Sequence, residues 1–136
     1  MPDTFRMTRL VQFAETDMAG VMHFANYFRI MEEVEHAFWR SLGASVVSVT
    51  ECADVSWPRV SVKCEYFAPL RFEDEVEVRL RVSEIGDKSM TYMVEFFKGS
   101  VKTAAGSAKA VCCQWGGGTF SPVAIPKTLR DKLQGR

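Results

Sequence analysis

Histidine is scarce in this chain: His23 and His36 are the only two. The four cysteines, Cys52, Cys64, Cys112 and Cys113, form no CxxC pair and no spacing typical of a metal site. A zinc centre needs three or four such ligands brought together, so zinc chemistry is disfavoured and no cofactor is expected. Charge of one sign is also lacking, because 17 basic residues face 17 acidic ones. Nucleic-acid surfaces usually carry a basic excess, so that class of partner is disfavoured too. A local basic spot for a phosphorylated small molecule remains open. No apolar run approaches the ~20 residues of a membrane span, and the first residues lack a signal-peptide core. These absences read as a cytoplasmic protein with no membrane partner and with reduced, buried thiols.

What is present is enough for one domain, residues 1–136, with a core that needs no staples: 47% of the chain is apolar. Phe5, Met7, Val11 and Phe13 mark one face of a first strand, with Arg9 as the exception. Tyr27, Ile30, Met31, Val34, Ala37, Phe38 and Leu42 then recur at helical spacing, and Gly43 is placed to stop the helix. The helix glutamates Glu32, Glu33 and Glu35 are expected on a solvated or interface-forming side. Ala44 to Val55 has no clear period.

From Arg59 onward the period is two. Val60, Val62, Cys64 and Tyr66 form one alternating set, Val76 to Val82 a second, and Met90 to Phe96 a third. Val101 to Trp115 is long enough for a fourth strand, with a bend expected at Gly106 and an end at Gly116-Gly117-Gly118. Pro126 to Leu133 reads as a short terminal helix. Short turns make antiparallel neighbours, and the one long helix must cover their apolar faces. The fold class is therefore α+β.

The stretch from Glu15 to Tyr27 carries the chemistry. A strand ends in an acid, a tight turn follows, and the helix begins a few residues later. A carboxylate beside a helix start shares a small volume with unpaired backbone N–H groups and the positive end of the helix dipole. One group can act on a carbonyl carbon while the other holds its oxygen. No serine–histidine or cysteine–histidine pair accompanies it, which argues against a triad hydrolase.

Thr16-Asp17-Met18-Ala19-Gly20-Val21, Asn26-Tyr27, Glu65-Tyr66-Phe67-Ala68-Pro69, Glu73-Asp74-Glu75-Val76 and Gly86-Asp87-Lys88-Ser89 occur in this order over nearly the whole chain. Together they resemble the hotdog-fold acyl-CoA thioesterases, in particular the branch of 4-hydroxybenzoyl-CoA thioesterase. The resemblance implies a hotdog fold, a curved antiparallel sheet wrapped around one central helix, assembled as a homodimer or homotetramer. It implies an acyl-CoA substrate with a small or medium acyl group, hydrolysed to free acid and CoA. Asp17 is then the catalytic acid, as nucleophile or general base, and the Phe24 N–H polarises the carbonyl with His23 beside it. Gly20, Val21, Asn26 and Tyr27 fall around the substrate, and Lys88 with Ser89 lies near the nucleotide end of CoA. Two departures from the family pattern are Met22, where a branched aliphatic residue is usual, and Glu15, where aspartate is usual.

Each of these residues has a plainer role open to it. Asp17 and Asn26 can serve the turn and the first helical turn, His23 can be a packing or turn-bonding residue, Tyr27 a core ring, and Lys88 a solvated turn lysine. Two other functions fit the same architecture: an acyl-thioester hydratase or dehydratase using His23 with Asp17, and a non-catalytic acyl-CoA-binding protein.

Overall fold

The computed structural model describes residues 4–44, 55–116 and 118–135. In chain order the elements are β1 (Phe5–Leu10), a 3-10 turn (Phe13–Glu15), α1 (Phe24–Ser41), β2 (Val55–Ser56), β3 (Arg59–Tyr66), β4 (Glu75–Ile85), β5 (Ser89–Lys98), β6 (Val101–Val111), β7 (Cys113–Gly116), β8 (Thr119–Pro122) and α2 (Lys127–Leu133). Five strands form one antiparallel sheet in the order β1-β4-β5-β6-β3, and β2-β7-β8 form a smaller one.

The expected helix is present and carries the core. Tyr27, Ile30, Met31, Val34, Phe38 and Trp39 are buried in one cluster with Val78, Leu80, Tyr92, Val94 and Phe96 of the sheet. Gly43 stops the helix with a φ of 73°, and the Gly43 and Ala44 N–H groups return to the Arg40 and Trp39 carbonyls. This is the glycine-dependent closure in which a side chain at that φ would be strained.

Four expectations need correction. β1 ends at Leu10, and Phe13 lies in the 3-10 turn with its ring 74% exposed. The long strand breaks at Cys112 rather than bending at Gly106, because the Cys112 N–H turns to the Lys88 carbonyl. Gly106 instead admits the helix: an added Cβ would sit 2.8 Å from the Lys63 carbonyl oxygen and 2.8 Å from the Met31 sulfur. Glu35 is not solvated but fully buried. The alternating face of β3 is also not covered, since Val60, Val62 and Tyr66 are 60%, 50% and 44% exposed. The cause is the placing of α1, which packs most closely on β4 and β1, toward the opposite edge. Gly116 ends β7 and Gly118 precedes β8, while Gly117 and the expectation for 45–54 lie outside the described residues.

The topology also differs from a plain meander. β3 and β4 follow one another in sequence but occupy different places, β3 at the edge and β4 beside β1. The link between them crosses the sheet end through buried Leu70, whose carbonyl accepts the Met22 N–H at 2.7 Å. That crossing sets Phe67, Ala68 and Pro69 against the start of α1.

Candidate active site

The loop before α1 is closed by its own backbone. Thr16 and Met22 form an isolated bridge, the Asp17 N–H donates to Val21 at 2.9 Å, and the Gly20 N–H donates to Asp17 at 2.9 Å. Gly20 adopts a φ of 80°, the left-handed conformation such a turn requires. The Asp17 carboxylate accepts the Ala19 N–H at 2.9 Å and, at 3.5 Å, the Val21 N–H, both through Oδ1. Oδ2 has no protein donor among the described residues. Asp17 therefore organises its turn with one oxygen and keeps the other available.

The helix start supplies the complementary groups. His23 is the N-cap, and its Nδ1 accepts the Ala25 N–H at 3.1 Å, which places any ring proton on Nε2. The His23 N–H donates to Glu15, and the Asn26 N–H to His23. Among the described residues the Phe24 N–H is the donor in this turn with no acceptor. Asp17, Val21, Phe24 and Tyr27 line one open cavity of about 380 Å³, together with Met22, Tyr66, Phe67, Ala68 and Pro69. The walls are mainly aromatic and aliphatic. Asp17 and Phe24, the first residue of α1, thus line one mainly apolar cavity, which can place a carboxylate and a helix start about one carbonyl group.

The other candidates lie in three places. Asn26 ties the helix to the preceding turn, its side-chain amide donating to the Glu15 carbonyl at 2.8 Å. The Tyr27 ring packs between Tyr66 and Phe96, and burial, then the neighbouring Cys64, pushes its phenol up to about 12. It is a wall rather than an acid. Lys88 and Ser89 are at the other end of the sheet. Ser89 opens β5, whereas Phe96, seven residues on, touches Tyr27, so they lie roughly 20 Å or more from Asp17 within one chain. The Lys88 turn itself is firmly held. Arg130 of α2 donates to the Gly86 and Asp87 carbonyls at 2.7 and 3.0 Å.

Glu15, Glu33 and Glu35 are engaged by arginines. Glu15 forms a two-point ion pair with Arg9, at 3.0 and 2.8 Å, and accepts the Gln12 N–H. Burial works to raise its pKa, but Arg9 and Gln12 outweigh it and hold the carboxyl below 4.5. Arg9 also bonds Glu33 at 2.9 Å, which explains why a charged residue occupies the inner face of β1. Glu35 is paired with Arg59 and accepts from Tyr92 at 3.0 Å and Trp39 at 3.2 Å. Sequence reasoning noted the Glu65–Pro69 segment only as a pattern. Its Tyr66 and Phe67 walls become visible once the β3–β4 crossing is known.

Residues 11–133 match the family described as the Thioesterase-like superfamily. A crystal structure of a protein from Aquifex aeolicus superposes with a TM-score of 0.87 at 32% identity, covering 95% of this chain and 98% of that one. A gentisyl-coenzyme A thioesterase structure superposes with a TM-score of 0.79 at 30% identity, over 96% and 99% of the two chains. The 1,4-dihydroxy-2-naphthoyl-CoA hydrolase of Prochlorococcus marinus is 28% identical over 112 residues, covering 77% of this chain and 72% of its own. No helix among the described residues is long and apolar enough to cross a membrane. The fold, the residues matched and these likenesses agree: the chain belongs to the Thioesterase-like superfamily, with the hotdog fold, and is a thioester hydrolase.

Proposed function

We propose that the chain hydrolyses a small or medium acyl-CoA thioester at the Asp17 cavity. The observation that carries this reading is that Asp17 and Phe24, whose N–H has no acceptor among the described residues, line one apolar cavity. The thioester oxygen takes the Phe24 N–H, and Asp17 adds to the carbonyl carbon or removes a proton from a water that does so. Expulsion of the CoA thiolate, with water supplying the hydroxyl, gives the free acid and CoA. Phe24, Tyr27, Tyr66 and Phe67 give the cavity aromatic walls, and two relatives are named for aromatic acyl groups. Aromatic acyl-CoAs therefore head the substrate panel, with short and medium aliphatic ones beside them. His23 and Asn26 hold the helix start, Gly20 and Val21 hold the turn, and Lys88 with Ser89 meets the phosphates of CoA. The working unit is a homodimer or a pair of dimers joined through the β3 edge.

The test is Asp17→Asn, which keeps shape and removes charge. On the best substrate of the panel kcat falls by ~100-fold or more while acyl-CoA binding stays within a few fold. Retention of more than about half the wild-type kcat would remove Asp17 from the chemistry. Glu15→Gln is the matched control on the same short segment.

A further inference from the structure

A second cavity, of about 270 Å³, is lined by residues further along the same two elements, α1 and β3. On the helix, Phe24 and Tyr27 face the Asp17 cavity, and Phe28 and Met31 face the second. On β3, Tyr66 lines the first and Val62 the second, with Cys64 between them. The surface of the second cavity is mostly apolar, with Tyr92 and Ala108 also in its wall, and the charged Arg29, Glu32 and Arg59 line it as well.

Tyr66 walls the first cavity, four residues along β3 from the Val62 of the second. Its hydroxyl reaches across to α1 to donate to the Phe24 carbonyl at 3.0 Å, and its ring meets the Tyr27 ring edge-on with centroids 4.8 Å apart. Burial, then the adjacent Cys64, pushes the phenol up to about 12, so the hydroxyl remains a donor at neutral pH. The side chain is 44% exposed, so this wall is one ring on an edge strand rather than packed core.

Resting on the acyl-CoA reading of the Asp17 cavity, we propose that Tyr66 determines acyl-chain length, closing that cavity against the apolar space behind it. A chain whose carbonyl sits at Asp17 and whose tail runs along α1 and β3 stops at this ring. With the ring removed, the tail continues over Cys64 and Val62 into the second cavity.

Binding of non-hydrolysable S-alkyl-CoA thioethers with two to twelve carbons, measured by calorimetry, tests this without needing turnover. The wild-type affinity rises with chain length and levels off. In Tyr66→Ala the rise continues past that point, by up to about fourfold per methylene, the ~0.8 kcal/mol of burying one. Val62→Phe added to Tyr66→Ala fills the second cavity and restores the early plateau. Tyr66→Phe keeps the ring and the wild-type plateau length. Tyr66→Leu, smaller than the ring but still apolar, gives an intermediate extension and guards against a folding defect in Tyr66→Ala. Identical plateaus in the wild type, Tyr66→Ala and Tyr66→Leu overturn the gate, as does a gain that survives Val62→Phe. An extended plateau in an enzyme that hydrolyses no acyl-CoA upholds the gate and overturns the hydrolase reading alone. Failure of every chain length to bind overturns both.

Discussion

Glu35 shows what a single residue can conceal. It stands in sequence among Glu32 and Glu33, yet it shares the helix face of Met31 and Trp39 and is fully buried against Arg59, Tyr92 and Trp39. Spacing along one helix cannot reveal its partners, because Arg59 and Tyr92 come from strands remote in sequence. Removing one member of a buried pair strands the other's charge, at a cost of ~3–5 kcal/mol. Arg59→Ala should therefore lower stability by about that much in urea melts, and Arg59→Met with Glu35→Met should recover a large part of it. A loss below ~1 kcal/mol in the single variant would show that the pair has ready access to water. Glu15 makes a separate, pH-dependent contribution. Its folded pKa lies below 4.5, so the stabilisation is present above 4.5 and is lost as pH falls from there through the folded value. The stability gap between wild type and Glu15→Gln should accordingly be widest near neutrality and narrow as the pH is taken down through 4.5 and below. A gap that stays constant over that window would place the effect in packing rather than charge. Asp17 was legible because a carboxylate, a turn and a helix start are adjacent in sequence. The Phe24 N–H was legible for the same reason, and Tyr66 was not, since its contact with Phe24 spans 42 positions.

Among the elements, α1 was the clearest in the sequence because its apolar residues repeat at one period and glycine ends it. Near its C-terminal end Phe38 is 4% exposed and edge-on to Phe5 with centroids 6.0 Å apart. Phe38→Ala should cost ~3–5 kcal/mol in denaturant melts, and a loss under ~1 kcal/mol would deny the helix its place in the core. The strands were legible as strands, but not the order in which they pair. Alternation is the same for a central and an edge strand, so nothing in Val60, Val62, Cys64 and Tyr66 announces that α1 leans away from them. Gly106 shows the same limit. A lone glycine in a strand marks either a bend or a close approach of backbone, and here it is the second. Gly106→Ala pushes a methyl against the Lys63 carbonyl, which the β3–β6 ladder holds in place, and against Met31. A destabilisation of ~1–3 kcal/mol is expected, and a variant as stable as wild type would mean that β3 shifts freely at that point.

For the whole molecule, the proposed acyl-CoA site asks Lys88 and Asp17 to serve one substrate from opposite ends of a sheet. A second copy would bring them together. Among the described residues β3 is an edge strand with unpaired backbone on one side and exposed Val60, Val62 and Tyr66, a surface suited to a partner. Pairing two β3 edges about a two-fold axis runs the chains in opposite senses, so the Lys88 end of one copy approaches the Asp17 end of the other. Light scattering at micromolar concentration should therefore find at least twice 15.3 kDa, and a species of 15.3 kDa alone would end the argument. Lys88→Ala should raise KM for acyl-CoA more than it lowers kcat, because a contact remote from the carbonyl contributes mainly uniform binding. The effect should shrink in high salt and vanish on a substrate cut back to the pantetheine arm. Mixing then separates the two geometries. When Asp17→Asn and Lys88→Ala chains are unfolded together and refolded, mixed dimers contain one intact site only if Lys88 acts across the interface. About a quarter of all sites regain both residues in that case. Assayed below the wild-type KM, the mixture should exceed the average of the two parent variants. Activity equal to that average would place Lys88 beside its own chain's Asp17 or outside the site altogether.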